Sequence, residues 1–403
     1  MKRKIWILFL LASFLIVPFA RAGQEEKKKP DEPAPRHRVV NLSLFYPVSL
    51  NRSKKDTSNI SLSLLYGHQG AVRGLDLSLG AAAVEGSLEG VQLAGLVAVA
   101  GETMNGVQAA GLFSVAGDRG EGVQVAGLGS IAGEEFSGIQ AAWLFAIAGE
   151  RLKGAQLSAL FNVAGEAAEG WQSSCLFNVA GGEMDGIQMA GLFNVAGESS
   201  RAFQVAGLMN VTGGTCRGLQ VGLLNIAGRL TGAQVGLVNV TGEIEGAPVG
   251  LVNLTRHEDR RIRMAIWAGS VSLLNAGVKI RAKNFYSLLY AGTVNLTQEE
   301  HGCLAYGFQY GYAFPVRGTE RGGAAKRIEV DAGYLYLDNS TVFSTREGTL
   351  NRHVISARGS FAVELSSQVA LIAGGGLGYR IDYGASFSSG SFFPLVFAGL
   401  ELF

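Results

Sequence analysis

The chain has 403 residues, with 34 basic and 33 acidic side chains and a charged fraction of only 17%. That near balance gives no electrostatic footprint for nucleic acid or for an anionic membrane surface, so neither partner is expected on charge. Glycine is in excess, 57 residues against 8 prolines, and an apolar chain of this kind fits tight turns and closely stacked strands better than disorder.

The chain opens with Lys2, Arg3 and Lys4, an apolar stretch over residues 5–19, and Ala20-Arg21-Ala22 before Gly23. This is the pattern of a signal peptide over 1–22, which predicts export. No cysteine follows the apolar stretch, which argues against a lipoprotein anchor. Residues 23–38 are charged and proline-rich and read as a flexible leader. Period-two alternation over 40–44 and 59–64 predicts strands within 39–73, which we expect to pair with strands at the other end of the chain. Past residue 22 the sequence has no run of about 18 uninterrupted apolar residues, so a membrane placement would require a β-barrel.

The dominant feature is a repeat. Gln92, Gln108, Gln124, Gln140, Gln156, Gln172, Gln188, Gln204 and Gln220 recur every 16 residues; Gln234 and Pro248 follow at a spacing of 14, and Asp76 stands 16 residues before Gln92. Asparagine occupies a second position in the later units, at Asn162, Asn178, Asn194, Asn210, Asn225, Asn239 and Asn253. Leucine is fixed between them, from Leu96 to Leu251, and an aliphatic residue such as Val99 follows three positions later. A unit this short cannot bury a face alone, so about twelve of them over 74–255 predict a stack. As coils of a β-solenoid they would extend roughly 55 Å at about 4.8 Å per coil. Leu and Val would fill a thin core, and Gln and Asn would form amide ladders.

The rival is one membrane strand per unit. The shortened units favour the solenoid: Gln204-Val-Ala-Gly-Leu208 becomes Gln220-Val-Gly-Leu223, a deletion that a corner absorbs but that would swing half of a continuous strand to the wrong face.

After Asn253 comes a charged cluster, Arg256-His257-Glu258-Asp259-Arg260-Arg261, expected as a polar end cap of the array. From there to Phe403 the pattern changes to about eight longer strands, near 262–270, 272–283, 286–296, 303–315, 327–338, 352–364, 368–383 and 392–403. Tyr306, Phe308, Tyr310, Tyr312 and Phe314 share one face, and Ile328 and Val330 oppose Glu329 and Asp331. Alternation over about ten residues with aromatics on the apolar face predicts an outer-membrane-type barrel over 256–403. The two early strands would bring it to about ten. The last strand resembles the terminal signal of such barrels, except that Glu401 shares a face with Phe403 where an apolar residue would be usual. The fold class expected is all-β, a repeat solenoid combined with an antiparallel barrel.

Nothing in the sequence marks chemistry. His37, His68, His257, His301 and His353 are dispersed, and Cys175, Cys216 and Cys303 form no ligand pair. Gly374-Gly-Gly-Leu-Gly378 lies in a predicted strand with no helix after it, so close strand packing explains it. Glu102, Asp118, Glu134, Glu150, Glu166 and Glu198 read as solvated corners. No catalytic, cofactor or metal residue is assigned.

The units Gly186-Ile-Gln-Met-Ala-Gly-Leu-Phe-Asn-Val195 and Gly232-Ala-Gln-Val-Gly-Leu-Val-Asn-Val240 resemble those of a bacterial surface-repeat family of exported proteins, and the resemblance extends through Gly246-Ala-Pro-Val-Gly-Leu-Val-Asn253 into the tail. It implies outer-membrane or surface placement in a Gram-negative-type bacterium, with lipid as a partner, and no established activity. Asparagine is absent at the matching positions 98, 114, 130 and 146. The role expected is structural, adhesive or binding; the alternative is a soluble secreted or periplasmic solenoid that holds a glycan or a protein.

Overall fold

The computed structural model describes residues 36–51, 53–256, 261–294, 303–316, 325–338, 351–366, 368–383 and 388–402. The signal and most of the leader, His257–Arg260 of the charged cluster, His301, and Phe403 lie outside them. The chain is all-β, a solenoid of about fourteen turns and a closed antiparallel barrel of eight strands. It divides into two compact units, residues 1–212 and 213–403.

In the first unit, each 16-residue repeat makes one coil of two strands. Thr103–Ala110 is followed by a turn at Gly111-Leu112, and Phe113–Ala116 by a turn at Gly117-Asp118. Successive coils pair parallel and in register, so that Gln108 lies opposite Gln124 and Val115 opposite Ile131. Gly122 shows why glycine is required within the longer strand. Its φ is +111°, and a Cβ there would sit 2.1 Å from the carbonyl oxygen of Gly106 in the coil before.

The early strands belong to this stack and not to the barrel. His37–Phe45 pairs parallel with Thr57–Gln69, which pairs parallel with Ala71–Ser78. This register places Asn41, Ser61, Asp76 and Gln92 in one column. Polar groups in that column bury only if they stack on one another, which is why 39–73 starts the solenoid instead of completing a ten-stranded barrel.

The core also differs from expectation. The fixed leucines are on the outside: Leu96, Leu112, Leu160 and Leu208 are exposed. Sequence spacing would put Gln and Leu on one face of a straight strand, but the glycine corner between them turns the leucine outward. The buried apolar column is formed instead by Leu88, Met104, Phe136, Leu152 and Met184, beside a column of alanines from Ala100 to Ala196. Gly120 leaves the space that the Phe136 ring fills.

The second unit carries the shortened coils and the barrel. Gln220 faces Gln234, and Asn225, Asn239 and Asn253 follow one another at the 14-residue spacing. The barrel is a meander of eight strands, Arg261–Gly269, Leu274–Ala282, Phe285–Val294, Cys303–Pro315, Lys326–Asp338, Asn351–Glu364, Val369–Tyr383 and Ser388–Leu402. The first closes on the last, Met264 opposite Leu402. Ile262, Met264, Ile328, Val330, Ile355 and Leu371 point outward, whereas Arg263, Lys279, Arg327, Glu329, Asp331 and Glu401 are buried inside.

Within this unit the last coil ends on the outer wall of the barrel. The Asn253 amide donates to Ser287 Oγ at 3.2 Å, and Ser287 Oγ donates to the Gly250 carbonyl at 2.8 Å. Lys283 Nζ donates to the Ile244 carbonyl at 3.0 Å, and the Tyr310 hydroxyl donates to that of Pro248. Barrel wall therefore covers the end of the coil that the sequence reading assigned to the charged cluster.

Candidate functional site

Among the described residues, two buried polar systems and one apolar groove stand out. The first system is the pair of amide ladders. Gln108 Nε2 donates to Gln92 Oε1 at 2.8 Å, Gln124 to Gln108 at 2.9 Å, and the pattern continues through Gln140, Gln156, Gln172 and Gln188 to Gln204. In the second unit Gln234 donates to Gln220 at 2.7 Å. Along much of the ladder the second amide hydrogen goes to a backbone carbonyl across the coil, as from Gln124 to Ile131 at 3.0 Å.

A ladder in which every NH2 points toward the chain start needs a pure acceptor as its first rung. Asp76 supplies it: its carboxylate accepts from Gln92 at 3.1 Å and from Gln69 at 3.3 Å. Burial raises its pKa above the ordinary value, opposed by the hydrogen bonds from Gln92 and Ser61.

The asparagine ladder runs the other way. Asn162 Nδ2 donates forward to Asn178 Oδ1 at 2.8 Å, Asn178 to Asn194 at 2.9 Å and Asn194 to Asn210 at 3.0 Å; in the second unit Asn225 donates to Asn239 and Asn239 to Asn253. The amide dipoles of the two ladders therefore oppose one another. Ser287 ends the forward ladder as a hydroxyl that both accepts and donates. In coils lacking asparagine the column holds small residues, with Ser114 and Ser130 hydroxyls 3.1 Å apart. These ladders use the coil residues singled out in the sequence; Pro248, which has no amide, takes the glutamine position in the last coil.

The second system fills one part of the barrel lumen. Lys279 Nζ lies 2.6 Å from both Glu329 and Glu401, and Arg263 reaches Glu401 at 3.1 Å and Glu364 at 3.3 Å. Arg327 binds Glu329 at 2.6 Å and Glu364 at 2.9 Å, and also pairs with Glu401. Beside them Arg358 and the Tyr286 hydroxyl converge on Asp331, at 2.8 and 2.7 Å. Nearby, a cavity of about 40 Å³ lined by Trp267, Asn275, Tyr290 and Gln309 has room for no more than a few waters. Glu401, the residue out of pattern in the terminal strand, is the acceptor that three cations share. Sequence reasoning found its face but not its partners, which come from strands 74 to 138 residues away.

The remaining candidates stay apart. His37 bonds the Thr57 hydroxyl at 3.0 Å. His68 lies between the Tyr66 hydroxyl at 2.7 Å and Glu85 at 2.9 Å, both ring nitrogens engaged. Tyr66 has its pKa raised by burial first and by Glu85 second. His353 pairs with Tyr334. Cys175 is an exposed free thiol; Cys216 is buried, which pushes its pKa up to about 11 and makes it a poor nucleophile. A Cβ on Gly374 or Gly376 would meet the neighbouring strand's carbonyl at 2.3 or 2.1 Å, so these glycines pack strands. The corner acids are exposed, with long pairs such as Arg151–Glu166 at 3.8 Å. Among the described residues, no group of three His, Cys, Asp or Glu side chains could hold a metal.

The groove lies at the start of the first unit. It encloses about 1050 Å³ and is lined mainly by Leu42, Leu44, Leu62, Leu64, Leu79 and Leu93. Compared with known protein families, with curated proteins and with solved structures, the chain finds no match.

Proposed function

We propose that this is a non-enzymatic, exported protein of a Gram-negative-type cell envelope. Its barrel sits in the outer membrane as an anchor, and its repeats serve a structural, adhesive or binding role. The observation that carries this reading is the inversion of the barrel: a lumen of paired charges inside a wall of Ile, Val, Leu, Tyr and Phe. Water outside would favour the opposite arrangement, whereas lipid favours this one. The ion cluster and the small cavity beside it favour an anchor over an open channel. For the soluble alternative, the leucine-lined groove points to an apolar ligand and away from a glycan.

The test is to express the full precursor in a Gram-negative host and wash the isolated outer membranes with carbonate and urea. The retained fraction is then run on gels with and without boiling. Retention with a heat-dependent mobility shift is the expected result. Release into the wash without a shift would overturn the membrane reading.

A further inference from the structure

The outward faces of the coils are large and remain unused by the reading above. In the first unit, residues 91–100, 107–116, 123–132, 139–148, 155–164, 171–180 and 187–196 contain no Asp, Glu, Lys, Arg or His. All the charged side chains between 85 and 201 fall outside these segments, at the opposite corner of each coil or in the first residues of the long strand after it. The uncharged segments turn their amides inward to the ladders and their hydrocarbon outward. Trp143 is 71% exposed and Trp171 46%, alongside Ile139, Leu160 and Leu192. Half-buried Phe145, Phe161, Phe177 and Phe193 stack along the short-strand side of the same segments, with centroids 5.1 to 5.4 Å apart. The corner backbone is satisfied from coil to coil, as from Leu112 to Leu96 and from Leu128 to Leu112, both at 2.8 Å.

Seven such segments at about 4.8 Å each make a face about 30 Å long. Water-facing monomers rarely leave contiguous apolar patches larger than roughly a few hundred Å² open. The second unit indicates what covers it. There, Leu223, Val235, Leu237 and Val249, at the matching repeat positions, are exposed too. The last coil rests on the barrel's outer wall through Ser287 and Tyr310, next to exposed Tyr306 and Phe314. Lipid around that wall would also reach the coil that rests on it.

We infer that the uncharged face of the coils lies against the acyl chains of a bilayer, with the charged corners turned toward headgroups and water. The inference rests on the membrane reading of the barrel. It accounts for exposed apolar side chains overlying buried polar ones in the coils as in the barrel.

The test uses the full chain reconstituted in phosphatidylcholine bilayers with brominated acyl chains, which quench tryptophan on contact. Trp143 and Trp171 report on the coil face; Trp267, buried in the lumen, is common to every variant, and Trp6 is replaced by Phe throughout. Emission of this parent chain should fall in brominated lipid, and W143F/W171F should abolish most of that loss. Aqueous iodide should quench neither residue. An Ile355→Trp reporter in the W143F/W171F background reads the barrel wall separately.

If that reporter is quenched by lipid while Trp143 and Trp171 respond only to iodide, the coil face is in water; the inference fails and the barrel reading stands. If Trp143 and Trp171 respond to neither quencher and the particle mass doubles, a second copy covers the face, and the inference again fails. If the chain does not float with the bilayers and the Ile355→Trp reporter is not quenched by lipid, the barrel reading falls and takes the inference with it.

Discussion

The solenoid and the barrel bury polar side chains by opposite means. In the coils the ladder amides are neutral and bond to their own copies 14 or 16 residues away, with the Asp76 carboxylate as the one charged rung. In the lumen the groups are charged and their partners lie as far as 138 residues apart. The first solution is local and extensible, because adding a coil adds one more rung. The second is closed: Glu401 joins the last strand to Arg263 on the first, Lys279 on the second and Arg327 on the fifth. Damage to a ladder should therefore stay local, whereas damage to the cluster should loosen the whole barrel.

The sharpest way to break this contrast is Glu401→Ala. It takes one shared carboxylate from three buried cations at once, leaving each with its remaining partner on Glu329 or Glu364, and removing one partner of a buried ion pair costs about 3–5 kcal/mol. We expect the heat-modifiable form on gels to melt at clearly lower temperature or to be lost. An unchanged transition would mean that Glu401 contributes little to closure. In the solenoid, Gln140→Leu removes one middle rung. It leaves the Gln156 donor and the Gln124 acceptor without their partner, at about 1–3 kcal/mol for unsatisfied buried groups. Hydrogen exchange should rise in the coils on either side and not in the barrel; a rise throughout the chain would sink the idea of local ladders.

Asp76 gives the ladder a pH dependence. Burial raises its folded pKa above the ordinary 3.8, so the folded chain holds the proton where the unfolded chain has released it. Its contribution to stability is full below the unfolded value, declines as pH rises through the raised folded value, and is flat beyond. Asp76→Asn should remove that decline. Urea midpoints of the two chains should differ more at neutral pH than near pH 3.8, with the variant the more stable at neutral pH. Parallel curves would show that the ladder's first rung does not titrate.

How far these features could be read from the sequence depends on the same contrast. Identical residues at a fixed spacing announce their own stacking, so the Gln and Asn columns and the shortened corner were visible. Eight alternating segments likewise predicted the eight barrel strands. The strands before residue 70 were misplaced because their rungs are Asn41 and Ser61, at spacings of 20 and 15, and share no motif with the repeat. The lumen cluster was invisible because no local pattern links Lys279 to Glu329 and Glu401. Period-two logic put Leu in the core because it assumes a straight strand, and the glycine corner breaks that assumption between Gln and Leu.

That error yields the smallest and most discriminating prediction. Were Leu160 a core residue, Leu160→Ala would cost about 2–5 kcal/mol. It sits instead at an outer corner, 36% exposed, where a substitution in detergent should stay within about 0.5 kcal/mol. Leu152, eight residues earlier and 1% exposed, is the internal control, and its replacement by alanine should carry the full core cost. Urea unfolding of both variants, followed by hydrogen exchange in their coils, separates the cases. Equal destabilisation would return the fixed leucines to the core. A loss at Leu152 alone leaves the repeat's most regular apolar residue free to meet whatever surrounds the coil.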